Sequence, residues 1–484
     1  MSLQELKIQL SNDYSVIEFV DLTEYTALNE LYSKLVSLKK EEYQDNERIV
    51  FFYDIHFIKI IELVQEILIT VDIPEFFTIF KEGAIQRTNS LDFNFSDTQC
   101  IYPWLNLELG LLGEIRPCCT YRGNIVNNNQ ISSIKNSNIK EVYLSDYMKN
   151  LRESFRQGIT PKECSTCWSN EAANIPSMRQ RAQYKFKEIY YKLNYQDENF
   201  DNLQLFDLKL GNSCNLSCRI CSAESSSKIA DSDLKAGRLT NDNYIKLQNA
   251  VAWAEADNFW DQLLPAVNNI KYLDIYGGEP LISQKHFTFL KKLIELDVAK
   301  NIKIDYNTNG TVFSEKFFEL WDHFKEVKLS FSIDNIGERF ELERNGVAWD
   351  IVAENIKKFN SRRSEKFITD VFPSINIQNV LYVPELLEWI DSQQFSSRVS
   401  LNIVYDPSYL SILSMTREAR ELVLDKLNSY ADNDIIKSII NLIENSPAID
   451  LANEFISYMK TLDVERQQNF AKTHPDIAKA MGYQ

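Results

Sequence analysis

Short apolar runs alternate with stretches of helical periodicity along much of this chain. The first strand-like runs are Val16–Val20, Arg48–Tyr53 and Phe76–Phe80. Amphipathic patterns predict helices between them, from Thr23 to Glu42 and from about His56 to Leu68. Strands that alternate with helices are typical of parallel βαβ units. Residues 1–90 are therefore expected to form a small α/β domain, a candidate for substrate or partner recognition.

The same alternation is repeated over residues 203–410. Six candidate strands follow one another there: Leu205–Leu210, Tyr272–Tyr276, Ile302–Tyr306, Val327–Ile333, Asp370–Ile377 and Val399–Tyr405. Six strand–helix units predict an open, partial (β/α)6 barrel. Residues 411–484 have a helical pattern, with Thr416 as the N-cap of a helix that reaches Leu427 and Ser446-Pro447 at the end of another.

Residues 98–200, between the two α/β regions, are rich in turns and cysteine. Two helices are predicted in this segment, near Asp146–Gln157 and near Glu171–Leu193. The remaining sequence between them is polar and irregular. We therefore treat 98–200 as a separate module.

Charge and hydropathy exclude several classes of protein. The formal net charge is −17, which disfavours a nucleic-acid partner because phosphate binding needs a basic face. The most apolar stretch, around Phe51 to Ile73, contains Asp54, Lys59 and Glu62 and so is not a membrane span. The N-terminus has no signal-peptide pattern. A cytoplasmic protein without a membrane or nucleic-acid partner is expected.

All eight cysteines lie between residues 100 and 221. In a cytosolic protein of this size, clustered cysteines are metal ligands or reactive thiols more often than disulfides. Cys214, Cys218 and Cys221 form a Cys-x3-Cys-x2-Cys run directly after a predicted strand. Three thiolates on one loop can hold three irons of a cubane cluster and leave the fourth iron open. A zinc knuckle fits less well, because no fourth ligand is nearby.

This spacing resembles that of the radical S-adenosylmethionine (SAM) superfamily. The resemblance implies a 4Fe–4S cluster whose open iron binds SAM and delivers one electron, which yields a 5′-deoxyadenosyl radical. Tyr276 is followed by Gly277-Gly278-Glu279-Pro280, which matches the family's SAM-ammonium motif. Glycine permits a close backbone approach, and Glu279 would supply a charge-assisted partner. Ile220 stands where the family usually has an aromatic residue.

Other strand ends carry further residues of the same resemblance. Asn309 lies in Asn-Thr-Asn-Gly, and Ser332 and Asp334 lie in Phe-Ser-Ile-Asp. The resemblance implies that Ser332 contacts the SAM ribose or carboxylate and that Arg344 binds a carboxylate, a task that suits a planar guanidinium. Loop capping or a solvated charge is the alternative for Ser332, Asp334 and Arg344.

The remaining cysteines form a second constellation in residues 98–200. Its members are Cys100, Cys118-Cys119 and Cys164-x2-Cys167, with a Gly-Asn-Ile turn at 123–125. The run resembles the SPASM/Twitch module of radical SAM enzymes, although that module usually follows the barrel. The resemblance implies a second, fully ligated 4Fe–4S cluster on Cys100, Cys118, Cys164 and Cys167. Cys119 in place of Cys118, and a structural zinc site, remain open alternatives.

The expected fold is thus α/β: a partial (β/α)6 radical SAM barrel, a small N-terminal α/β domain, a SPASM/Twitch-like module and a helical C-terminus. The resemblance implies an enzyme that abstracts hydrogen from a peptide or protein for oxidative modification or crosslinking. The auxiliary cluster would accept or relay an electron, and flavodoxin or ferredoxin would be the donor. The alternatives are a dehydrogenase or epimerase of a sugar or cyclitol, with Cys119 as hydrogen donor, and a non-catalytic redox protein.

Overall fold

The computed structural model describes two compact units, residues 1–96 and 97–484. In the first, three strands are described. In the second, residues 98–483 are described apart from 128, 173–175, 257–259, 394, 397–398 and 400. None of the described helices is long and apolar enough to cross a membrane.

The first unit contains the three strands that the sequence predicts. They are β1 (Val16–Asp21), β2 (Ile49–Asp54) and β3 (Phe77–Lys81). All are parallel, in the order β1-β2-β3. The parallel direction confirms the βαβ interpretation. The two helices predicted between these strands lie outside the described residues.

The strands of the second unit differ widely in length. They are β4 (Asn106–Leu109), β5 (Ile115–Arg116), β6 (Val126–Asn127), β7 (Gln130–Ile131), β8 (Leu205–Lys209), β9 (Ser217–Cys218), β10 (Tyr272–Tyr276), β11 (Lys303–Thr308), β12 (Glu326–Phe331), β13 (Arg344–Asn345), β14 (Phe367–Val371), β15 (Ser374–Ile375) and β16 (Asn402–Ile403).

The α-helices of this unit connect the strands and form its C-terminal part. They are α1 (Tyr102–Leu105), α2 (Ile139–Tyr143), α3 (Asp146–Arg156), α4 (Ser165–Ala172), α5 (Met178–Lys185), α6 (Lys187–Lys192), α7 (Ser227–Lys235), α8 (Asn241–Val251), α9 (Gln284–Glu295), α10 (Glu315–Trp321), α11 (Gly337–Glu343), α12 (Trp349–Asn360), α13 (Val383–Ser392), α14 (Arg417–Asn428), α15 (Asp434–Asn445), α16 (Ala452–Arg466), α17 (Phe470–Thr473) and α18 (Pro475–Ala480).

The main sheet of this unit has the strand order β14-β12-β11-β10-β8-β4-β5. Strands β4, β8, β10, β11, β12 and β14 are parallel, and β5 pairs antiparallel with β4. The expected α/β class, with a parallel sheet and a helical C-terminus, is confirmed. Strand β4 comes from the cysteine-rich segment, so this segment contributes to the same sheet as the barrel strands.

The last two predicted barrel strands are shorter than expected. The run Asp370–Ile377 divides into β14 and β15, because Pro373 lies between them and has no N–H for a sheet ladder. The run Val399–Tyr405 contains only β16, which pairs parallel with β15 in a separate two-stranded sheet. The sixth predicted strand is therefore present as β16, parallel to β15, but it is not hydrogen-bonded to the main sheet.

The helix predicted over Glu171–Leu193 is also wrong in one respect. Three helices, α4, α5 and α6, occupy the region instead. Pro176 precedes Ser177, which caps α5 through a capping box with Gln180. A proline and a new N-cap begin a separate helix there. The helices predicted near Asp146–Gln157, after Thr416 and before Ser446 are confirmed as α3, α14 and α15.

The two faces of the main sheet differ in polarity. On one face, Tyr306 of β11 contacts His286 of α9 and Trp321 of α10, and Phe331 of β12 contacts Phe359 of α12. This face is the apolar core. The opposite face carries a row of ionisable residues that sit directly opposite one another on consecutive strands: Arg116, Glu108, Asp207, Asp274, Asp305 and Lys328. We call it the charged row.

Most carboxylates near the charged row have a cationic partner. Glu108 pairs with Arg116 at 2.7 Å and with Lys209 at 2.8 Å. Asp305 pairs with Lys185 at the end of α5, and Lys328 pairs with Asp370. The charged side chains on this face are therefore largely neutralised in pairs.

Asp207 and Asp274 are different. Asp207 accepts a hydrogen bond from Asn106 Nδ2 at 3.2 Å. Among the described residues, neither Asp207 nor Asp274 has a lysine or arginine within ion-pair distance. Burial raises the pKa of both, that of Asp274 to about 7, with Lys185 opposing the shift and Asp305 adding to it.

This arrangement predicts how Asp274→Asn changes stability with pH. The folded-state pKa lies above the unfolded value, so ionisation destabilises the native state as pH rises from about 4 to about 7. Asparagine cannot ionise. At pH 8 the variant should be more stable by about 1–3 kcal/mol, with a smaller difference at pH 5. Thermal unfolding at both pH values measures this, with Asp297→Asn at an exposed position as control. A lower Tm for Asp274→Asn at pH 8 would contradict the assignment.

Candidate active site and cluster-binding cavity

The Cys214–Cys221 loop begins shortly after β8 ends at Lys209. Cys218 is buried, whereas Cys214 and Cys221 are partly exposed. Within the loop, Cys218 lies in β9, which pairs antiparallel with β13 so that Arg344 is opposite Cys218. The pairing brings a guanidinium from a segment more than a hundred residues away against the cysteine loop.

Hydrogen-bond donors surround two of the three sulfurs. The Leu216 N–H donates to Cys214 Sγ at 3.5 Å, and Asn309 Nδ2 lies 4.0 Å from the same sulfur. Arg344 Nη1 lies 3.9 Å from Cys218 Sγ. Donors aimed at sulfur stabilise thiolates and are among the features that tune iron–sulfur clusters.

The pKa values of these thiols follow from the same contacts. The hydrogen bond with Cys221 lowers the pKa of Cys218 to about 7; burial opposes this shift and Arg344 adds to it. Burial raises the pKa of Cys214 to about 11. The loop thus favours the thiolate most strongly at Cys218.

The Gly277-Gly278 turn packs directly on the start of the cysteine loop. Both glycines have positive φ, 85° and 51°. A Cβ on Gly278 would lie 2.3 Å from the Ser213 carbonyl oxygen, and the Glu279 N–H donates to that oxygen at 2.8 Å. No larger residue fits here, so the two motifs are held in contact by glycine.

The Glu279 carboxylate has three donors within the chain. It accepts hydrogen bonds from Thr308 Oγ1 at 2.8 Å, from the Asn309 N–H at 2.7 Å and from the Leu281 N–H at 3.0 Å. Glu279 and Pro280 are both buried. The carboxylate therefore ties the end of β10 to the end of β11. The sequence pattern predicts that Glu279 is a partner of the SAM ammonium. In this structure its carboxylate oxygens accept hydrogen bonds from other residues of the protein.

Asp334 and Arg344 form a buried ion pair beside the loop. Arg344 Nη2 and Asp334 Oδ2 are 2.6 Å apart, and Asp334 Oδ1 accepts from the Ser374 N–H. Arg344 Nε is buried and has no hydrogen-bond partner among the described residues. Ser332 is half-buried, and its N–H donates to the Thr308 carbonyl. The Asp334 carboxylate thus holds the guanidinium close to Cys218.

The second cysteine set lines a single cavity. Cys100, Cys118, Cys164 and Cys167 face it, together with Thr120, Tyr102, Tyr121, Phe155, Trp168 and Arg179. Thr120 Oγ1 lies 3.5 Å from Cys118 Sγ and 3.8 Å from Cys167 Sγ. Burial raises the pKa of Cys118 to about 12 and that of Cys100 well above its usual range. A bound cation would favour the deprotonated form of these thiols.

Cys119 does not line this cavity. The charged groups that act on its thiol are those of the sheet's polar face: Asp207 and Glu108, which raise its pKa, and Lys209, which lowers it; burial is the largest cause of the upward shift. The sequence leaves the choice between Cys118 and Cys119 open. The structure places Cys118 with the other three thiols and Cys119 towards the charged row.

A contact from the C-terminal helices was not predicted. Arg219, inside the cysteine loop, is fully buried. Its Nη2 pairs with Asp463 at 2.5 Å, and the Tyr458 hydroxyl donates to its carbonyl at 2.7 Å. Helix α16 therefore braces the loop. A charged residue between two metal-ligand candidates was the signal in the sequence, but its partner lies 244 residues away.

Comparisons with known proteins give one family match and several similar solved structures. The model of the radical SAM superfamily matches residues 208–390. Among curated proteins, none matches this chain. Similar solved structures include anSMEcpe with bound AdoMet and Cp18Cys peptide (15% identity, TM-score 0.32, 49% of this chain and 61% of that chain). Streptococcus suis SuiB bound to S-adenosylmethionine is similar at 18% identity and TM-score 0.32, over 61% of this chain and 60% of that chain.

The match spans less than two thirds of either enzyme chain. The matched residues 208–390 include the cysteine loop, the Gly277–Pro280 turn and the Asp334–Arg344 pair, and these lie together in the structure. The model of the radical SAM superfamily thus covers the part of the chain that contains all three of these features.

Proposed function

We propose that this protein is a radical SAM enzyme that cleaves SAM reductively and uses the 5′-deoxyadenosyl radical to abstract hydrogen from a peptide or protein substrate. The contact of the Gly277-Gly278 turn with the loop that carries Cys214, Cys218 and Cys221 is the observation that carries the proposal. It brings three thiols, two of which have hydrogen-bond donors near their sulfurs, next to a backbone turn that matches the SAM-ammonium motif.

The residues present fit a cluster with one open iron. Cys214, Cys218 and Cys221 would hold three irons, and a reduced cluster supplies one electron for cleavage of the SAM sulfonium bond. Asn309 and Arg344 direct N–H groups at two of the sulfurs. The Arg344 Nε, which has no partner among the described residues, is free to donate to a carboxylate oxygen.

Side chains and backbone groups near the cysteine loop would orient SAM. The Glu279 carboxylate fixes the turn. Its Oε2 accepts only from the Asn309 N–H among the described residues, so it can still accept from an ammonium group beside the backbone carbonyls of the turn. Asp334 fixes Arg344. Ser332, half-buried at the end of the adjacent strand, is placed to contact the ribose or carboxylate.

A second 4Fe–4S cluster on Cys100, Cys118, Cys164 and Cys167 is part of the proposal. Four thiols around one cavity support it. A structural zinc site on the same four thiols is the alternative. A cluster separates its four thiolates more widely, since each binds a different iron. Its role would be to accept an electron from the substrate radical, with flavodoxin or ferredoxin as the protein donor to the system.

The peptide class of the substrate rests on the resemblance of residues 98–200 to modules found in peptide-modifying enzymes. Residues 1–90 form a separate unit whose described part is a three-stranded parallel sheet. We assign recruitment of the substrate to this unit. The enzyme would act in the cytoplasm.

The metal content after anaerobic reconstitution tests both clusters. We expect about eight iron and eight sulfide per chain, and about four of each when Cys214, Cys218 and Cys221 are all replaced by alanine. Cys118→Ala should also lower iron to about four, because it removes a cavity ligand. Cys119→Ala is the matched control and should keep about eight. About four iron plus one zinc in the wild type would contradict the auxiliary cluster.

The glycine turn offers a second test. Gly278→Ala should lower reductive formation of 5′-deoxyadenosine at least tenfold and weaken SAM binding, because its Cβ would collide with the Ser213 carbonyl. Gly237→Ala is the control: Gly237 also has positive φ, 72°, but a Cβ there meets no atom within 4 Å. It should stay within about twofold of the wild type. Assays with dithionite as reductant measure both. Equal losses in the two variants would contradict the packing argument.

One observation favours a second candidate function. Cys119 is partly exposed and lies near Asp207 on the polar face of the sheet, away from the auxiliary cavity. A thiol in this position suits a hydrogen-atom donor, as in an epimerase of a sugar or cyclitol. A dehydrogenase of such substrates would not need the thiol.

Cys119→Ala separates these functions. For the peptide-oxidising enzyme, the variant should keep both clusters, SAM cleavage and product formation, because no step uses the thiol. Product analysis by mass spectrometry measures this. Intact clusters and SAM cleavage with no product would instead favour the hydrogen-donor role.

A further inference from the structure

The polar face of the main sheet contains two neighbouring carboxylates that make no ion pair with a lysine or arginine of the described residues. Asp207 of β8 and Asp274 of β10 sit directly opposite each other in the parallel register. Asp207 is 5% exposed, and Asp274 is partly exposed. Asp207 is therefore buried on this face of the sheet, whereas Asp274 is partly accessible to solvent.

The neighbouring carboxylates on this face each form an ion pair with a lysine or arginine. Glu108 has Arg116 and Lys209, Asp305 has Lys185, and Asp370 has Lys328. In the described part of the chain, Asp207 and Asp274 have no such partner. Burial is the largest cause of the raised pKa of each carboxyl group, Asp274 adds to the shift at Asp207, and Lys185 opposes both shifts.

Two further polar atoms beside the pair are buried and unpaired. Asn106 is fully buried; its Nδ2 donates to Asp207, while its Oδ1 has no hydrogen-bond partner among the described residues. The Tyr276 hydroxyl, two residues along β10 from Asp274, is likewise buried and unpaired there. Acceptors predominate in this set: two carboxylates, an amide oxygen and a phenol oxygen. A ligand that matches them carries several N–H donors and a positive charge.

The position of the pair connects it to the reaction. Tyr276 immediately precedes the Gly277-Gly278 turn, so Asp274 lies about 10 Å along the strand from Gly277 at ~3.3 Å per residue. Parallel α/β enzymes hold their substrates beyond or near the carboxyl ends of the strands. Cys119, which does not line the auxiliary cavity, lies near Asp207.

We propose that Asp207 and Asp274 bind a cationic group of the substrate, an ammonium or guanidinium, and so select a substrate with a basic side chain. This inference rests on the proposed function, in which the substrate reacts beside the Gly277-Gly278 turn. The cation supplies the direct ion pair that Asp207 and Asp274 do not make with Lys185 or Lys328, which act on Asp274 only from a greater distance. Its N–H groups donate to Asp207, Asp274, Asn106 Oδ1 and the Tyr276 hydroxyl.

Binding is measured without turnover. The reconstituted full-length protein with SAM and no reductant is titrated with four probes: N-acetyl-lysine methylamide, N-acetyl-arginine methylamide, n-butylamine and N-acetyl-norleucine methylamide. The first two represent a peptide source of the cation and n-butylamine a free amine. The norleucine probe matches lysine in its apolar chain but has no charge. Ligand-observed NMR gives each Kd.

The proposal expects at least one cationic probe to bind at least tenfold more tightly than the norleucine probe. Asp274→Asn should weaken that binding tenfold or more, and Asp207→Asn should do the same. Asp297→Asn removes an exposed carboxylate that pairs with Lys300 and should leave Kd unchanged. Tighter binding of the two peptide-like probes than of n-butylamine indicates a peptide source, and the reverse order indicates a small amine; either order supports a cation site.

Equal affinity for the lysine and norleucine probes, or an unchanged Kd in a folded Asp274→Asn variant, would overturn the proposal. Because Asp274 is partly exposed, this variant tests the site even where Asp207→Asn fails to fold. SAM cleavage is assayed separately on the same preparations. Intact cleavage without cation selectivity overturns this inference alone, whereas absent cleavage in the wild type counts against the proposed function.

Discussion

The Glu279 N–H and the Ser213 carbonyl oxygen are 2.8 Å apart, and the rest of the site depends on this contact. It requires glycine at position 278, because a Cβ there would occupy the same space. From the other side, the Glu279 carboxylate holds Thr308 and the Asn309 N–H at the end of β11. The cysteine loop, the glycine turn and the Asn309 loop are therefore fixed to one another through a single residue, and a shift in one displaces the others.

The surroundings of the cysteine loop are unusually rich in buried charge. Arg344 pairs with Asp334 on one side, and Arg219 pairs with Asp463 of the C-terminal helix α16 on the other. Buried ion pairs add little net stability, but removal of one partner costs about 3–5 kcal/mol. Their effect here is positional: two guanidinium groups are held at the loop, one of them 3.9 Å from the Cys218 sulfur. The helical C-terminus thus contributes to the site although its sequence carries no recognisable chemistry.

Local patterns in the sequence predict what depends on local chemistry. The strand end at Tyr276 and the N-cap at Thr416 are found where the sequence predicts them, whereas β11 continues two residues past its predicted end at Tyr306. Features that depend on distant partners are not predictable in this way. Strand β4 joins the main sheet beside β8 because residues about a hundred positions apart match in register. The charged row cannot be predicted without that register. The different positions of Cys118 and Cys119 likewise depend on the tertiary structure, in which Cys118 lines the cavity and Cys119 does not.

Electron paramagnetic resonance of the dithionite-reduced protein, recorded with and without SAM, tests whether the Cys214–Cys221 loop holds a SAM-binding cluster. A cluster with an open iron changes its spectrum when SAM binds, whereas a fully ligated cluster does not. We expect SAM to change the signal of one cluster in the spectrum and to leave the signal of the other cluster unchanged. Replacement of Cys214, Cys218 and Cys221 should remove the SAM-dependent component and leave the other. A reduced wild-type spectrum in which SAM changes nothing would contradict the assignment of the Cys214–Cys221 loop as the SAM-binding cluster site.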